Sequence, residues 1–173
     1  LAACSSITPD TGTDTAEDTT VTKRPFEPML DGKWIGNGIS YSPYRDGEHP
    51  DMQTLIAREN VLEDLQILAQ RWNLIRLYGA DAQALNILEV IEENDLQIRV
   101  MQGIWLDAHK TEQENNEQVR LAIEYANRFT DIIIAVNVGN EILVDWSYHR
   151  LEDIDAVIEQ IRHVRSNIQQ PVT

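Results

Sequence analysis

The chain has 173 residues, of which 42% are hydrophobic and 25% charged, and this is the composition of one globular domain with a substantial core. Its formal net charge of -15, without any basic cluster, argues against a nucleic-acid partner and is explained by acidic residues on solvated helix faces. No run approaches the roughly 18 apolar residues of a membrane helix.

The first four residues indicate a lipid anchor. Leu1-Ala2-Ala3-Cys4 resembles the lipobox of bacterial lipoproteins, in which the signal peptide is cleaved before the cysteine and the thiol is acylated. Cys4 is the single cysteine of the chain, so an internal disulfide is impossible. The alternative is a chance cysteine in a tail. The motif predicts an envelope lipoprotein, and Ser5 after the cysteine favours the outer membrane or the cell surface.

A polar segment follows, from Ser5 to about Pro28. It is rich in Thr, Ser, Asp and Pro and has almost no large apolar side chains. Such a segment cannot bury enough apolar surface to offset its ordering entropy. We therefore predict two parts, which are a lipobox remnant with a flexible tether over residues 1–28 and a folded domain over residues 29–173.

From Trp34 onward, short apolar runs alternate with segments of helical periodicity. The predicted strands are Ile35–Tyr41, Leu74–Tyr78, Gln97–Ile104 and Ile132–Val138. The predicted helices cover residues 52–71 (apolar stripe Leu55, Leu62, Leu65, Leu68 and Trp72), 82–93 (with Asp81 as N-cap), 116–129 and 151–168. Pro171-Val172-Thr173 would begin a fifth strand.

Alternating strands and helices predict a parallel sheet with right-handed crossovers. Four such units fill the folded region, whereas a complete TIM-type (β/α)8 barrel needs about 250 residues. The chain is therefore either a small open α/β domain or the first four units of a barrel, and the strand-like residues at Pro171 favour the barrel. An open sheet edge after the fourth strand would allow self-association with a second copy.

The loops that leave the strands are rich in aromatic side chains. Six of the nine Trp and Tyr residues lie there, namely Tyr41, Tyr44, Tyr78, Trp105, Trp146 and Tyr148. Pyranose rings stack on aromatic faces, and their hydroxyls need fixed polar partners. This side of the sheet therefore predicts a sugar site, with Trp105 as a candidate contact; core packing is the alternative for Trp105.

Glu141 is the strongest candidate for chemistry. The run Ile132–Val138 has no charge, Gly or Pro, so it predicts a strand buried on both faces. Asn140 and Glu141 then emerge at its carboxyl end, where α/β-barrel enzymes place catalytic groups. Glu141 is predicted to be a general acid/base, and the Asn140 amide to hold a sugar hydroxyl.

Two further polar residues share this side of the sheet. Arg76 lies on the same face of the second strand as Tyr78, while Ile75 faces the helices. A buried guanidinium needs a carboxylate partner, so Arg76 is either a structural ion pair or an organiser of the site. Asp107 ends the third strand, where both sugar contact and helix capping remain open.

Other kinds of chemistry lack their motifs. The four histidines have no paired metal-ligand spacing, and the chain has neither a phosphate-binding Gly-rich loop nor a Gly-x-Ser-x-Gly elbow. We therefore predict no metal and no cofactor.

Four motifs in order resemble glycoside hydrolase family 17, the β-1,3-glucanases and related glucanosyltransferases. They are Trp34-Ile-Gly-Asn-Gly-Ile-Ser-Tyr41, Ile75-Arg-Leu-Tyr-Gly79, Val100-Met-Gln-Gly-Ile-Trp-Leu-Asp107 and Val136-Asn-Val-Gly-Asn-Glu141. The resemblance implies a (β/α)8 barrel, a β-glucan substrate and a retaining mechanism. It makes Glu141 the acid/base and Asn140 a sugar contact, with Tyr41, Tyr78 and Trp105 in the subsites.

The resemblance places the nucleophilic Glu after a seventh strand, which this chain does not reach. Asp107 and Asp145 would be substitutes without a motif behind them. The sequence thus predicts part of a retaining glycosidase, with two alternatives. One is a non-catalytic glucan-binding envelope lipoprotein, and the other is a β-glucan transglycosylase, in which a sugar hydroxyl replaces water as the acceptor.

Overall fold

The computed structural model describes residues 21–30, 32–52 and 54–173. A short antiparallel hairpin, β1 (Met29–Leu30) and β2 (Lys33–Trp34), precedes the main domain. The main domain then runs through β3 (Gly38–Ser40), α1 (Arg58–Leu68), β4 (Leu74–Arg76), α2 (Ala82–Glu93), β5 (Arg99–Ile104), α3 (Glu112–Arg128), β6 (Ile133–Val138) and α4 (Ile154–Asn167).

The main sheet is parallel, and its strands lie side by side in chain order, β3-β4-β5-β6. The far edge of β6 pairs in parallel with the end of the chain, because Val136 N donates to Pro171 O and Thr173 N donates to Val136 O, both at 2.9 Å. An isolated parallel bridge between Val136 and Val172 therefore lies where the fifth strand is predicted. The prediction of an open edge at β6 is therefore wrong for Val136–Val138, and self-association stays a prediction.

Strands in chain order with crossovers of one hand place the helices on one face of the sheet. The core lies between these two layers, where Ile75, Val100 and Val136 are fully buried against apolar helix residues. The helix side of this core includes Val61, Leu65, Ile87, Leu88, Ile91, Val119, Ala122, Ala126, Val157 and Val164. The opposite face carries the half-buried Arg76, Met101 and Asn137.

The helix limits agree with local sequence signals to different degrees. α2 has the predicted limits, and the side chain of Asp81 caps it by accepting from Ala84 N at 2.8 Å. α1 begins only at Arg58, so Leu55, predicted on its apolar stripe, lies outside the helix and is exposed. α3 begins earlier than predicted because Thr111 and Glu114 form a capping box.

The last residues of the predicted tether contact the domain. Arg24 N donates to Gln169 O at 2.8 Å, and its guanidinium donates to Thr130 O and Ile133 O at 2.7 and 2.6 Å. Cys4 and the rest of the predicted tether up to residue 20 lie outside the described residues. Within the described part of the chain, no helix has the length and apolarity needed to cross a bilayer.

Candidate active site

The turn after β6 presents Glu141 in a restrained backbone conformation. Gly139 has φ 80° and Glu141 has φ 55°, so two nearby residues are in the left-handed region. For Glu141 this costs roughly 1 kcal/mol or more, and such conformations persist where surrounding contacts enforce them. A Cβ on Gly139 would lie 2.3 Å from Ile142 Cδ1, so a larger residue would also force the Ile142 side chain to shift.

Polar side chains hold this turn from both sides. Arg76 Nη2 donates to Asn140 Oδ1 at 2.8 Å, and Asn137 Nδ2 donates to Gly139 O. On the other side, His149 Nε2 bonds to Asn140 O at 2.6 Å. The backbone adds a bond from Gly139 N to Ile104 O at 2.9 Å, which links the turn to the end of β5.

The Glu141 side chain is exposed at the carboxyl edge of the sheet. Among the described residues it has no side-chain hydrogen bond and no ion pair, although the backbone around it is fixed. A restrained backbone that carries an unengaged carboxylate suits a group that exchanges protons with a bound molecule.

Arg76 organises the strand ends. The prediction of a carboxylate partner for Arg76 is wrong, since among the described residues its guanidinium donates to the amide oxygen of Asn140 instead. The Arg76 Cζ atom also lies 4.9 Å from the centroid of the Tyr78 ring, within cation–π range. β4 ends at Arg76, so Tyr78 lies just beyond the strand, but the two side chains are in contact. The bond to Asn140 favours the role of site organiser over that of a structural ion pair.

A cavity of about 390 Å³ opens beside this turn. Its lining includes five of the six predicted aromatic residues, Tyr41, Tyr44, Tyr78, Trp105 and Tyr148, together with Asp107, whereas the exposed Trp146 is not part of it. Glu141 is not part of the lining, so the cavity lies next to the turn rather than around its carboxylate. Tyr78 connects the two because it also contacts Arg76.

Two predicted contact residues have structural partners as well. The Tyr41 hydroxyl donates to Asp64 Oδ2 at 3.1 Å, and burial together with the Asp64 charge raises the pKa of Tyr41 above its usual value. Asp107 is 5% exposed, and its Oδ1 accepts from His109 N at 2.8 Å, so it caps a turn before α3. Tyr41 and Asp107 thus line the cavity and also make hydrogen bonds that stabilise the surrounding fold.

Asp145, considered as a substitute nucleophile, forms an exposed ion pair with Arg150 at 2.7 Å. Over the described ranges, no group of three or more His, Cys, Asp or Glu side chains could hold a metal ion.

The sequence reasoning missed three residues around the turn: Asn137, Ser147 and His149. Asn137 could have been noticed, because the period-two rule places its side chain on the same face of the strand as residue 139, in the turn that it contacts. No local signal reveals His149, which contacts Asn140 from nine positions further along the chain.

A parallel sheet with a carboxylate in a restrained turn at its carboxyl edge, near an aromatic-lined cavity, is an arrangement typical of α/β enzyme domains, which place catalytic groups at strand ends. Residues 38–173 match the model of the BtgE/BtgC glycoside hydrolase domain. The chain belongs to that family.

Two relatives illustrate the similarity. The glucan endo-1,3-beta-glucosidase btgC of Emericella nidulans is 26% identical over 135 residues, which are 75% of this chain and 20% of that protein. The crystal structure of an endo-laminarinase from Formosa Hel1_33_131 superposes with a TM-score of 0.63 at 26% identity, covering 74% of this chain and 36% of the laminarinase. The chain thus spans about a fifth of that curated relative.

Proposed function

We propose that the protein containing this chain is a retaining glycoside hydrolase of β-1,3-glucan or a related β-glucan, with Glu141 as the acid/base. The observation that carries the proposal is the turn after β6, where Arg76 and His149 hold Asn140 from two sides and leave the Glu141 carboxylate unengaged among the described residues. Membership of a family of glycoside hydrolase domains supports hydrolysis of a glycosidic bond as the reaction class.

In the proposed reaction, Glu141 protonates the glycosidic oxygen as the bond to the leaving sugar breaks. A second carboxylate attacks the anomeric carbon and forms a glycosyl-enzyme intermediate. Glu141 then removes a proton from water as the water oxygen bonds to the anomeric carbon and the second carboxylate departs, which releases the sugar and restores the protonated acid. The Asn140 amide, whose oxygen accepts from Arg76, would hold a sugar hydroxyl beside the reacting bond.

The substrate class rests on the relatives. One is named an endo-1,3-beta-glucosidase and another an endo-laminarinase. The aromatic residues Tyr78, Trp105 and Tyr148 along the cavity suit the stacking of glucose rings. Strands in chain order and the four ordered motifs support the finer assignment to glycoside hydrolase family 17 and to a (β/α)8 barrel, of which this chain would supply the first four units.

Replacing Glu141 by Gln in the complete protein tests the proposal. Turnover of laminarin should fall by about 10²- to 10⁴-fold, the range that general acid–base catalysis contributes. The exposed Glu92→Gln on α2 is the matched control and should keep wild-type activity. Undiminished hydrolysis by Glu141→Gln would exclude the role. Binding of laminari-oligosaccharides by the wild type without release of reducing sugar would favour the non-catalytic glucan-binding alternative, and elongated products would favour transglycosylation.

The location is a separate proposal that rests on the sequence alone. Acylation of Cys4 would anchor the domain in the bacterial envelope, at the outer membrane or the cell surface. A Cys4→Ser variant should move from the membrane fraction to the soluble fraction and lose labelling by a fatty-acid precursor. Equal membrane association of both forms would count against the lipobox.

A further inference from the structure

We propose that His149 is a positioning residue that sets the orientation of Glu141 by holding the peptide group between Asn140 and Glu141. This inference rests on the proposed acid/base role of Glu141 and extends it to a residue that no sequence motif indicates. It concerns the orientation of Glu141 only, since His149 has no hydrogen bond to the carboxylate and is not itself a lining residue of the cavity, although its ring packs behind the lining residues Trp105 and Tyr148.

The hydrogen bonds of His149 define which ring atom acts. Nε2 lies 2.6 Å from Asn140 O, and a carbonyl oxygen only accepts, so Nε2 carries a proton and donates. Nδ1 lies 3.1 Å from Ser147 Oγ, which donates to it when the ring is neutral. Both ring nitrogens are therefore satisfied, and the ring is only 3% exposed.

Packing fixes the ring in place. Its centroid lies 4.6 Å from that of Trp105 and 4.9 Å from that of Tyr148. The backbone oxygen of His149 also accepts from Ala108 N at 3.3 Å. His149 thus joins the loop after β5 to the loop after β6, and the position of its Nε2 is determined by both.

The contact with Asn140 O reaches Glu141 through covalent geometry. The carbonyl of Asn140 and the amide N–H of Glu141 belong to one planar peptide group. A bond that fixes the carbonyl direction therefore fixes the plane from which Glu141 Cα and its side chain project. With φ at 55°, Glu141 has a backbone conformation that an unrestrained Glu rarely adopts. A contact from outside the turn, such as the bond from His149, is therefore needed to stabilise it.

The consequence for catalysis depends on the leaving group. A sugar is a poor leaving group and needs a well-aligned acid, whereas a dinitrophenolate departs without protonation. A residue that merely supports the fold affects both substrates alike. A residue that aims the acid affects kcat/KM for the unactivated glucan and spares kcat/KM for the activated aryl glycoside.

The test compares three variants of the complete protein on laminari-oligosaccharides and on a dinitrophenyl laminari-oligosaccharide. His149→Phe keeps a ring against Trp105 but removes the N–H. His149→Gln keeps an amide N–H at similar reach and should recover most of the activity. His163→Phe, at an exposed position on α4, is the matched control and should match the wild type on both substrates.

For His149→Phe we expect a loss of about 10²-fold in kcat/KM on the natural oligosaccharide, as for a misaligned catalytic group, and little change on the aryl glycoside. An equal loss on both substrates, including one caused by misfolding, would overturn the inference, and so would full activity on both. If His149→Gln is as defective as His149→Phe on the oligosaccharide alone, donation by Nε2 is likewise refuted.

The same assay separates this inference from the proposed function. Glu141→Gln must itself discriminate between the two substrates if Glu141 is the acid. If Glu141→Gln discriminates and His149→Phe does not, the positioning role of His149 is wrong while the proposed function stands. If Glu141→Gln does not discriminate between the two substrates, the acid/base role of Glu141 is wrong, and the positioning role of His149 falls with it.

Discussion

The guanidinium of Arg76 donates a hydrogen bond of 2.8 Å to the side-chain oxygen of Asn140, and this bond joins the ends of two strands that are not neighbours in the sheet. β5 lies between them and contributes Gly103, where a Cβ would lie 2.3 Å from Leu77 O. The interaction therefore depends on a close approach of the backbones. It connects β4, whose Arg76 also contacts the Tyr78 ring, to the turn after β6 that carries Glu141.

We expect Arg76→Met to lower kcat/KM on laminarin by about tenfold or more, because Asn140 loses its donor and the turn loses one of its restraints. The effect should exceed that of Arg71→Met, an exposed position just after α1. Arg76→Lys should give an intermediate value, since an ammonium keeps the charge but not the planar geometry. Steady-state kinetics measure all three, and equal effects of Arg76→Met and Arg71→Met would contradict the organising role.

Gly139→Ala should destabilise the protein by about 2–4 kcal/mol. Left-handed backbone contributes about 1 kcal/mol, and the overlap of the new Cβ with Ile142 contributes the rest. Gly47→Ala is the matched control, because Gly47 has φ 82° but no atom within 4 Å of an added Cβ. Urea unfolding should give the control a loss of about 1 kcal/mol. Similar losses for both variants would show that the clash is relieved at no cost.

Thr111→Ala should lower the free energy of unfolding by about 1 kcal/mol. The Thr111 hydroxyl accepts from Glu114 N at 3.2 Å, and Glu114 Oε2 accepts from Thr111 N at 2.8 Å, so the substitution removes the hydroxyl half of a reciprocal cap of α3. Thr111→Ser keeps the hydroxyl and should remain within a few tenths of a kcal/mol of the wild type. Chemical denaturation of both variants measures the difference.

Glu89 should contribute to stability in a pH-dependent way. Burial alone would raise the pKa of Glu89, but hydrogen bonds from Arg58 at 3.1 Å and Arg128 at 3.0 Å outweigh it and hold the pKa below its ordinary 4.5. A carboxyl group whose pKa is lowered by folding stabilises the folded state above its unfolded pKa, and this contribution disappears as pH falls through the folded pKa.

Glu89→Gln should therefore cost about 0.5–1 kcal/mol near neutral pH. The difference from the wild type should shrink once the pH falls below 4.5. Glu92→Gln, at an exposed neighbouring position, should show no such dependence. Urea denaturation over a pH series provides the comparison, and a cost that stays constant into the acid range would mean that Glu89 acts through packing rather than charge.

Apolar patterns and capping residues in the sequence predicted the helices and strands whose limits depend on neighbouring residues. The limits of α2 follow from apolar periodicity and the Asp81 cap, and the strands β5 and β6 follow from apolar runs. The early start of α3 was missed because residues 112–116 carry no apolar periodicity, and a capping box rather than burial sets that end. The exposure of Leu55 was missed because periodicity does not mark where a helix begins.

The sequence by itself determined that Asn140 and Glu141 follow a buried strand, because apolar runs and turn residues are read along the chain. The tertiary structure decided which side chains hold that turn. Arg76, 64 residues away, and His149, packed under Trp105, reach Asn140 only after the strands have paired and two loops have met. Neither contact has a sequence signature, because hydrogen bonds between distant segments depend on backbone positions that pairing and packing fix together.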